Sequence, residues 1–135
     1  MNCNLKSLEA IHLKVVEASP DAKIVIDGEG RVLIFNAMAE LLFGYAREDV
    51  LSQPIEILLP EESRDQHVSH RNGYFCDPKT REMGDGMLLE ARHRNGSKFP
   101  VQIKLAPIIV PGEGVLCLAV VRRVKDDLNA KGAAR

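Results

Sequence analysis

No apolar run in this 135-residue chain approaches the roughly 18–20 residues that cross a membrane as a helix. The longest, Val115 to Val121, has the length of a strand. The N-terminal stretch MNCNLKSLEAIHLK mixes charges into its apolar residues from Lys6 onward, so it lacks the apolar block of a secretory signal. Neither sign of charge is in excess. Eighteen Lys and Arg face nineteen Asp and Glu, a net charge of −1. That excludes the strong basic field on which phosphate-backbone binding depends, and with it DNA or RNA as an expected partner. Cysteine is scarce. Cys3, Cys76 and Cys117 are odd in number and form no CxxC pair, and they read as reduced thiols of a cytoplasmic protein. Internal repeats and low-complexity tracts are missing. So are the signatures of catalysis: there is no Gly-x-Ser-x-Gly, P-loop or HExxH, and no carboxylate pair in a motif context. His67 and Cys76 do not read as a dyad, because Gly73 lies between them and no third group orients them. The chain is not expected to be an enzyme.

Hydrophobic residues make up 45% of the chain and charged residues 27%, the balance of one soluble globular domain. NLKSLEAIHLKVVEA, residues 4–18, repeats its apolar residues at helical spacing, with Asn4 or Ser7 to cap the start. Ser19-Pro20-Asp21 ends that helix. AKIVID and RVLIFN flank Gly28-Glu29-Gly30, which predicts a hairpin. Asn36 can cap a helix over AMAELLFGY, and Gly44 can supply its left-handed end. Pro54 and Pro60 break the next segment into one or two helical turns. In RDQHVSHRNGYFCDP, a helix is expected from Arg64 to about Phe75, regular in pattern until Gly73, with Asp77-Pro78 closing it. The remainder, 86–124, alternates as strands around an Asn95-Gly96 turn and a Pro111–Gly114 turn.

The order is helix, two strands, several short helices, three strands. This predicts an α+β fold: a five-stranded antiparallel sheet with helices on one face. Phe99, Val101, Ile103 and Leu105 should point inward, with Gln102 and Lys104 outward. In 115–121 both faces are apolar, so both need cover. The amphipathic N-terminal helix, from this chain or from a second copy, is expected to lie over the outer face and to make a homodimer. Three parts follow: a flanking helix over 1–18, a domain over 19–124, and a polar tail or the start of a signalling helix over 125–135.

Four stretches carry a resemblance to a known family: ASPDAKIVIDGEGRVLIFN; AMAELLFGY with REDVLSQPIEILLPEE; HRNGSKFPVQIKLAPI; and GVLCLAVVRRV. They resemble the PAS domain of the sensory-box, histidine-kinase type over about Val15 to Val124. The last strand departs from the family pattern. Where an Asp-Ile-Thr motif usually leads into a signalling helix, this chain reads Arg122-Arg123-Val124-Lys125-Asp126. The resemblance implies signal transduction. A small ligand or cofactor would sit between sheet and helices, or the domain would pair with other proteins without a ligand. The chain is either a piece of a larger sensor with a C-terminal output domain or a stand-alone protein, and the start MNCNLK fits an N-terminal sensory module.

The resemblance also bears on cofactors. Light-sensing members hold a reactive cysteine in the region that here reads PIEILLPEE, which has none, so a flavin photoadduct is not expected. Haem-binding oxygen sensors of the family ligate iron through a histidine that falls at His67, which a neutral imidazole can do. Their distal arginine falls at Met87. The competing reading makes His67 a partly buried histidine bonded to a backbone group or carboxylate. His70 is expected near the surface, paired with Asp65, Asp77 or Glu82. The spacing HxxHx₅C, His67 to Cys76, matches no standard zinc site. Met83, Met87, Leu89, Ile103 and Leu118 are expected to line the pocket. Arg92-His93-Arg94 reads as a solvated hairpin end.

Overall fold

Asp27 closes the first hairpin. Its carboxylate accepts the backbone N–H groups of Glu29 and Arg31, each at 2.9 Å, so an aspartate does locally what the turn needs. The computed structural model describes residues 5–79, 81–83, 89–112 and 114–124. Strand β1 spans Ala22–Ile26 and β2 spans Val32–Phe35; they pair antiparallel around that turn. Before them, helix α1 covers Leu5–Glu17.

Asn36 then starts helix α2, Ala37–Phe43, by accepting the Ala39 N–H on its side chain. Gly44 ends it at φ +80°, and its N–H bonds the Glu40 carbonyl, the left-handed stop that a residue without Cβ adopts freely. A Cβ there would also collide with the ring of His93, lying 3.0 Å from Nδ1 and closer still to Cε1. Helix α3 is one turn, Arg47–Val50. Pro54 and Pro60 each immediately precede a 3₁₀ turn, Ile55–Leu58 and Glu61–Ser63, consistent with the preset proline φ. Helix α4 covers Arg64–Cys76. It runs through Gly73 and is capped at Asp77, close to the expected bounds: one glycine costs a helix interior about 1 kcal/mol, less than the packing of Tyr74 against the core restores.

Strands β3 (Arg81–Met83), β4 (Leu89–Arg92), β5 (Lys98–Val110) and β6 (Gly114–Arg123) complete the sheet. Its order is β2-β1-β6-β5-β3, all antiparallel, with β4 also on β5. β3 pairs with Ile103–Leu105 and β4 with Lys98–Val101, so the two lie end to end along one edge and the sheet has five strand positions. β6 runs through the centre, between β1 and β5.

The α+β architecture follows from what each strand buries. Ile24 and Ile26 of β1, Phe99 and Val101 of β5, and Cys117 and Val121 of β6 belong to one core with Phe35, Phe43, Leu58 and Tyr74. Each large side chain removed from water contributes about 1.5–3 kcal/mol. The outer sheet face is a different matter. Leu8, Ile11 and Val15 of α1 stay 40–57% exposed, so this stripe does not cover the sheet of its own chain. What ties α1 down is its C-terminal end. The Val16 carbonyl accepts from Asn36 Nδ2 at 2.8 Å, and Glu17 pairs with Arg47 at 2.6 Å.

Candidate ligand-binding site

Between α4 and the inner sheet face lies a cavity of about 600 Å³, within the size range of small-molecule sites. Alternation along β5 and β6 builds its floor. Val101, Ile103 and Leu105 come from β5, Cys117, Ala119 and Val121 from β6, and Leu89 and Ala91 from β4. The 3₁₀ turn gives Ile55 and Leu58; α4 gives His67, Arg71 and Tyr74, with Ser69 and His70 exposed at the rim.

The polar side of the cavity is organised by one carboxylate. Glu56 sits in the 3₁₀ turn among Ile55, Ile57 and Leu58, and its side chain is only 7% exposed. His67 Nδ1 lies 2.7 Å from Glu56 Oε2. Arg71 donates from Nε to Oε2 at 2.9 Å and from Nη2 to Oε1 at 3.1 Å, a bidentate clamp. The spacing of His67 and Arg71 on α4 is i, i+4, which places both on one helix face toward the turn. Burial alone would raise the Glu56 carboxyl; the hydrogen bonds from Arg71 and His67 outweigh it, and the net shift is downward. Glu56 is therefore held as an anion. On the floor, Cys117 is buried and faces the Tyr74 hydroxyl, and burial pushes its thiol pKa up. It is a neutral thiol at ordinary pH.

The sequence-predicted positions separate clearly. His67, Leu89 and Ile103 line the cavity. Met83 contributes backbone pairing opposite Ile103, and Met87 lies outside the described residues. Leu118 is a correction: β6 turns Cys117, Ala119 and Val121 to the cavity, so alternation sends Leu118 to the other face. His70 is exposed and makes no ion pair with Asp65 or Asp77. Cys76 is exposed at the end of α4, and no metal-binding cluster of His, Cys, Asp and Glu occurs among the described residues. His93 is not a freely solvated hairpin end, since its half-buried ring lies on Gly44. Glu56 and Arg71 escaped sequence reasoning. The available signal was a lone glutamate inside the apolar run Ile55–Leu58.

A family model described as the PAS fold matches residues 13–122. The chain belongs to the PAS family. Among curated relatives, this PAS domain is 33% identical over 103 residues to the sensor protein FixL of Bradyrhizobium diazoefficiens, covering 76% of the chain and 20% of the relative. It is 28% identical over 127 residues to the oxygen sensor protein DosP of Escherichia coli, covering 94% and 16%. The chain thus spans a fifth or less of these two relatives' length. Among solved structures, the PAS domain of an HTR-like protein from Haloarcula marismortui superposes with a TM-score of 0.72 at 22% identity, covering 89% of this chain and all of that one. An RNA-binding light-oxygen-voltage receptor gives 0.77 at 18% identity, covering 97% and 38%. These two structural likenesses establish the fold. No helix among the described residues is long and apolar enough to cross a membrane.

The donor set of this PAS domain can be compared with what a haem needs. An iron-ligating imidazole has its other ring nitrogen held by a carboxylate, carbonyl or water. His67 meets that condition, because Glu56 holds Nδ1 and leaves Nε2 for the cavity. The floor facing it is apolar, apart from the Cys117 thiol. One axial ligand fits.

Proposed function

We propose that this chain is a sensory module whose cavity between α4 and the sheet takes a small ligand or cofactor, and that occupancy is relayed to α1 at a dimer interface. The observation that supports this most directly is the cavity itself: largely apolar, with its polar groups concentrated on one helix. A ligand there touches α4 and β6 together. β6 pairs with β1, and Asn36 joins β1 to the last turn of α1 through Lys23 N–H and the Val16 carbonyl. A shift of α4 or the floor strands thus has a short covalent and hydrogen-bonded route to α1. The ligand must prefer one of two arrangements to drive it. The exposed stripe Leu8, Ile11 and Val15 is what a second copy would cover, and an output domain or partner signalling protein would read the change.

The test begins with purified protein denatured and analysed by mass spectrometry for a retained small molecule. It continues with thermal-shift screening of metabolites. A molecule that raises the melting temperature of the wild type but not of a cavity-filling Ala119→Phe variant supports the reading. If no molecule is retained and none shifts the wild type, the domain acts through dimerisation or docking without a ligand. Sedimentation then decides that part: a monomer at high concentration overturns the dimer relay.

A second reading is favoured by the contact between Glu56 and His67. Haem, held through His67, would supply an iron that binds a gas or changes redox state. Within that reading Glu56 orients the imidazole, Arg71 holds Glu56, and the apolar floor keeps water from the iron. Haem-reconstituted protein should then show a strong band near 400 nm, an order-of-magnitude position for ligated haem, that His67→Ala removes. A colourless reconstituted protein would falsify it.

A further inference from the structure

Three groups meet where α4 crosses the 3₁₀ turn, and their charges and hydrogen bonds constrain one another. Glu56 is a carboxylate with three donors aimed at it: Arg71 Nε, Arg71 Nη2 and His67 Nδ1. Glu56 and Arg71 already balance each other's charge. A carboxylate can only accept, so in the neutral imidazole the one ring proton is on Nδ1 and is donated to Glu56. An imidazole fixed in that tautomer presents a bare lone pair at Nε2. Nε2 has no hydrogen bond among the described residues, and the residue lines the cavity.

The other polar groups around the cavity are already engaged or lie at its rim. Arg71 directs Nε and Nη2 at Glu56 and turns Nη1 to Asn72 Oδ1 at 3.5 Å. The Cys117 thiol and the Tyr74 hydroxyl face each other. Ser69 and His70 are exposed at the rim. The described walls therefore offer a ligand apolar contact and one hydrogen-bond acceptor.

We infer that Glu56 is a positioning residue that holds His67 as its Nδ1–H tautomer, making the cavity selective for a neutral, largely apolar molecule that carries one N–H or O–H donor. This rests on the ligand-binding reading above and adds to it the chemical class of the ligand. A carboxylate or phosphate oxygen is disfavoured at Nε2 itself, where it would meet an acceptor. Without the carboxylate, imidazole favours its proton on Nε2, and the cavity's nitrogen becomes a donor.

Two measurements test the inference. The first needs no ligand: ¹⁵N-detected NMR of the wild-type imidazoles at neutral pH, with His67 assigned by comparison with His67→Ala. A protonated Nδ1 and a bare Nε2 are expected. A proton on Nε2 overturns the inference whatever the cavity binds. The second uses indole and its hydrocarbon isostere indene as probes, followed by calorimetry. Indole should bind the wild type roughly threefold to tenfold more tightly, the worth of one hydrogen bond. The comparison variant carries Glu56→Met and Arg71→Met together, because removing both charges is tolerated better than stranding one. There the ratio should fall to about one and the His67 proton should move to Nε2. Equal binding of indole and indene by the wild type overturns the donor selectivity and leaves the cavity reading standing. Failure of both probes to bind, with Nδ1 protonated, counts against the cavity reading and against donor selectivity, while the tautomer assignment survives.

Discussion

Arg71 lies against Gly30. The arginine leaves α4, crosses to the β1–β2 turn and packs its guanidinium so close to the glycine that a Cβ there would sit 2.8 Å from Arg71 Cδ and nearer still to Nε. The same guanidinium ends on Glu56. One side chain thus joins the helix that walls the cavity, the turn that closes the first hairpin, and the carboxylate that orients His67. Gly30 is required twice over: its φ is +82°, and its missing side chain is the space Arg71 occupies.

Gly30→Ala should therefore destabilise the domain by about 1–3 kcal/mol, from the left-handed backbone and from the displaced arginine. Urea denaturation measures it. A lower midpoint at unchanged slope is expected. Gly28, whose Cβ would meet nothing within 4 Å, is the control, and Gly28→Ala should change little. Equal effects at the two positions would mean that the Arg71 contact has no energetic consequence.

Glu56 should show its weight in the pH dependence of stability. Its folded-state pKa is lowered, so its contribution is present above the ordinary glutamate value of about 4.3 and is lost as pH falls through the lower folded value. Melting temperatures of the wild type and Glu56→Gln, measured from pH 7 downward, should therefore converge as acid removes the wild-type advantage. At pH 7, Glu56→Ala should cost about 2–4 kcal/mol. That is somewhat below the cost of stranding a fully buried ion, because the Arg71 and His67 side chains keep 12% and 26% exposure. A constant difference between wild type and Glu56→Gln across the acid range would show that the carboxylate carries no such linkage.

Asn36, Gly44, the hairpin turns and the inward set of β5 were legible in the sequence because each is a local demand. A cap needs a side-chain acceptor, a left-handed residue needs no Cβ, and a half-buried strand alternates. Leu118 was misplaced because β6 is apolar on both faces, so alternation supplies two equivalent sets and no phase. The phase is fixed only by partners, here Val25 beside Leu118 and Ile26 beside Cys117. Glu56 was hidden for a different reason. Its partners His67 and Arg71 are 11 and 15 residues away, and no periodic pattern links a one-turn 3₁₀ segment to a later helix. α1 was legible as an amphipathic helix, but a stripe at helical spacing carries no information about which surface it meets.

The two described cysteines should differ sharply in reactivity. Cys76 is exposed, whereas Cys117 is buried on the cavity floor with its pKa raised by burial, and the thiolate is the reactive form. Peptide mass spectrometry after brief iodoacetamide treatment at pH 7.5, about an ordinary assay value, should find Cys76 alkylated and Cys117 intact until denaturant is added. Comparable labelling of both under native conditions would mean that the cavity opens readily to solvent, and a bound ligand should then slow Cys117 alone.

Asn36 carries the sharpest stereochemical prediction. The residue is 1% exposed and uses both ends of its amide. Oδ1 accepts the N–H groups of Lys23 and Ala39 at 2.9 and 3.0 Å. Nδ2 donates to the carbonyls of Val16 and Asp21 at 2.8 and 3.0 Å. Asn36→Asp keeps the size and the cap but turns the donor end into an acceptor facing two carbonyl oxygens, and buries a charge. It should cost about 3–5 kcal/mol, at least as much as Asn36→Ala, despite being the nearer isostere. Its pH response should be opposite in sign to that of Glu56. Protonating the introduced carboxyl restores one donor, so the deficit relative to wild type should shrink as the medium is acidified. Because the Val16 carbonyl belongs to the last turn of α1, limited proteolysis should also cut between α1 and β1 faster in this variant. An Asn36→Asp protein as stable as wild type at neutral pH, with α1 equally protected, would show that the amide does not anchor the helix that carries the proposed signal.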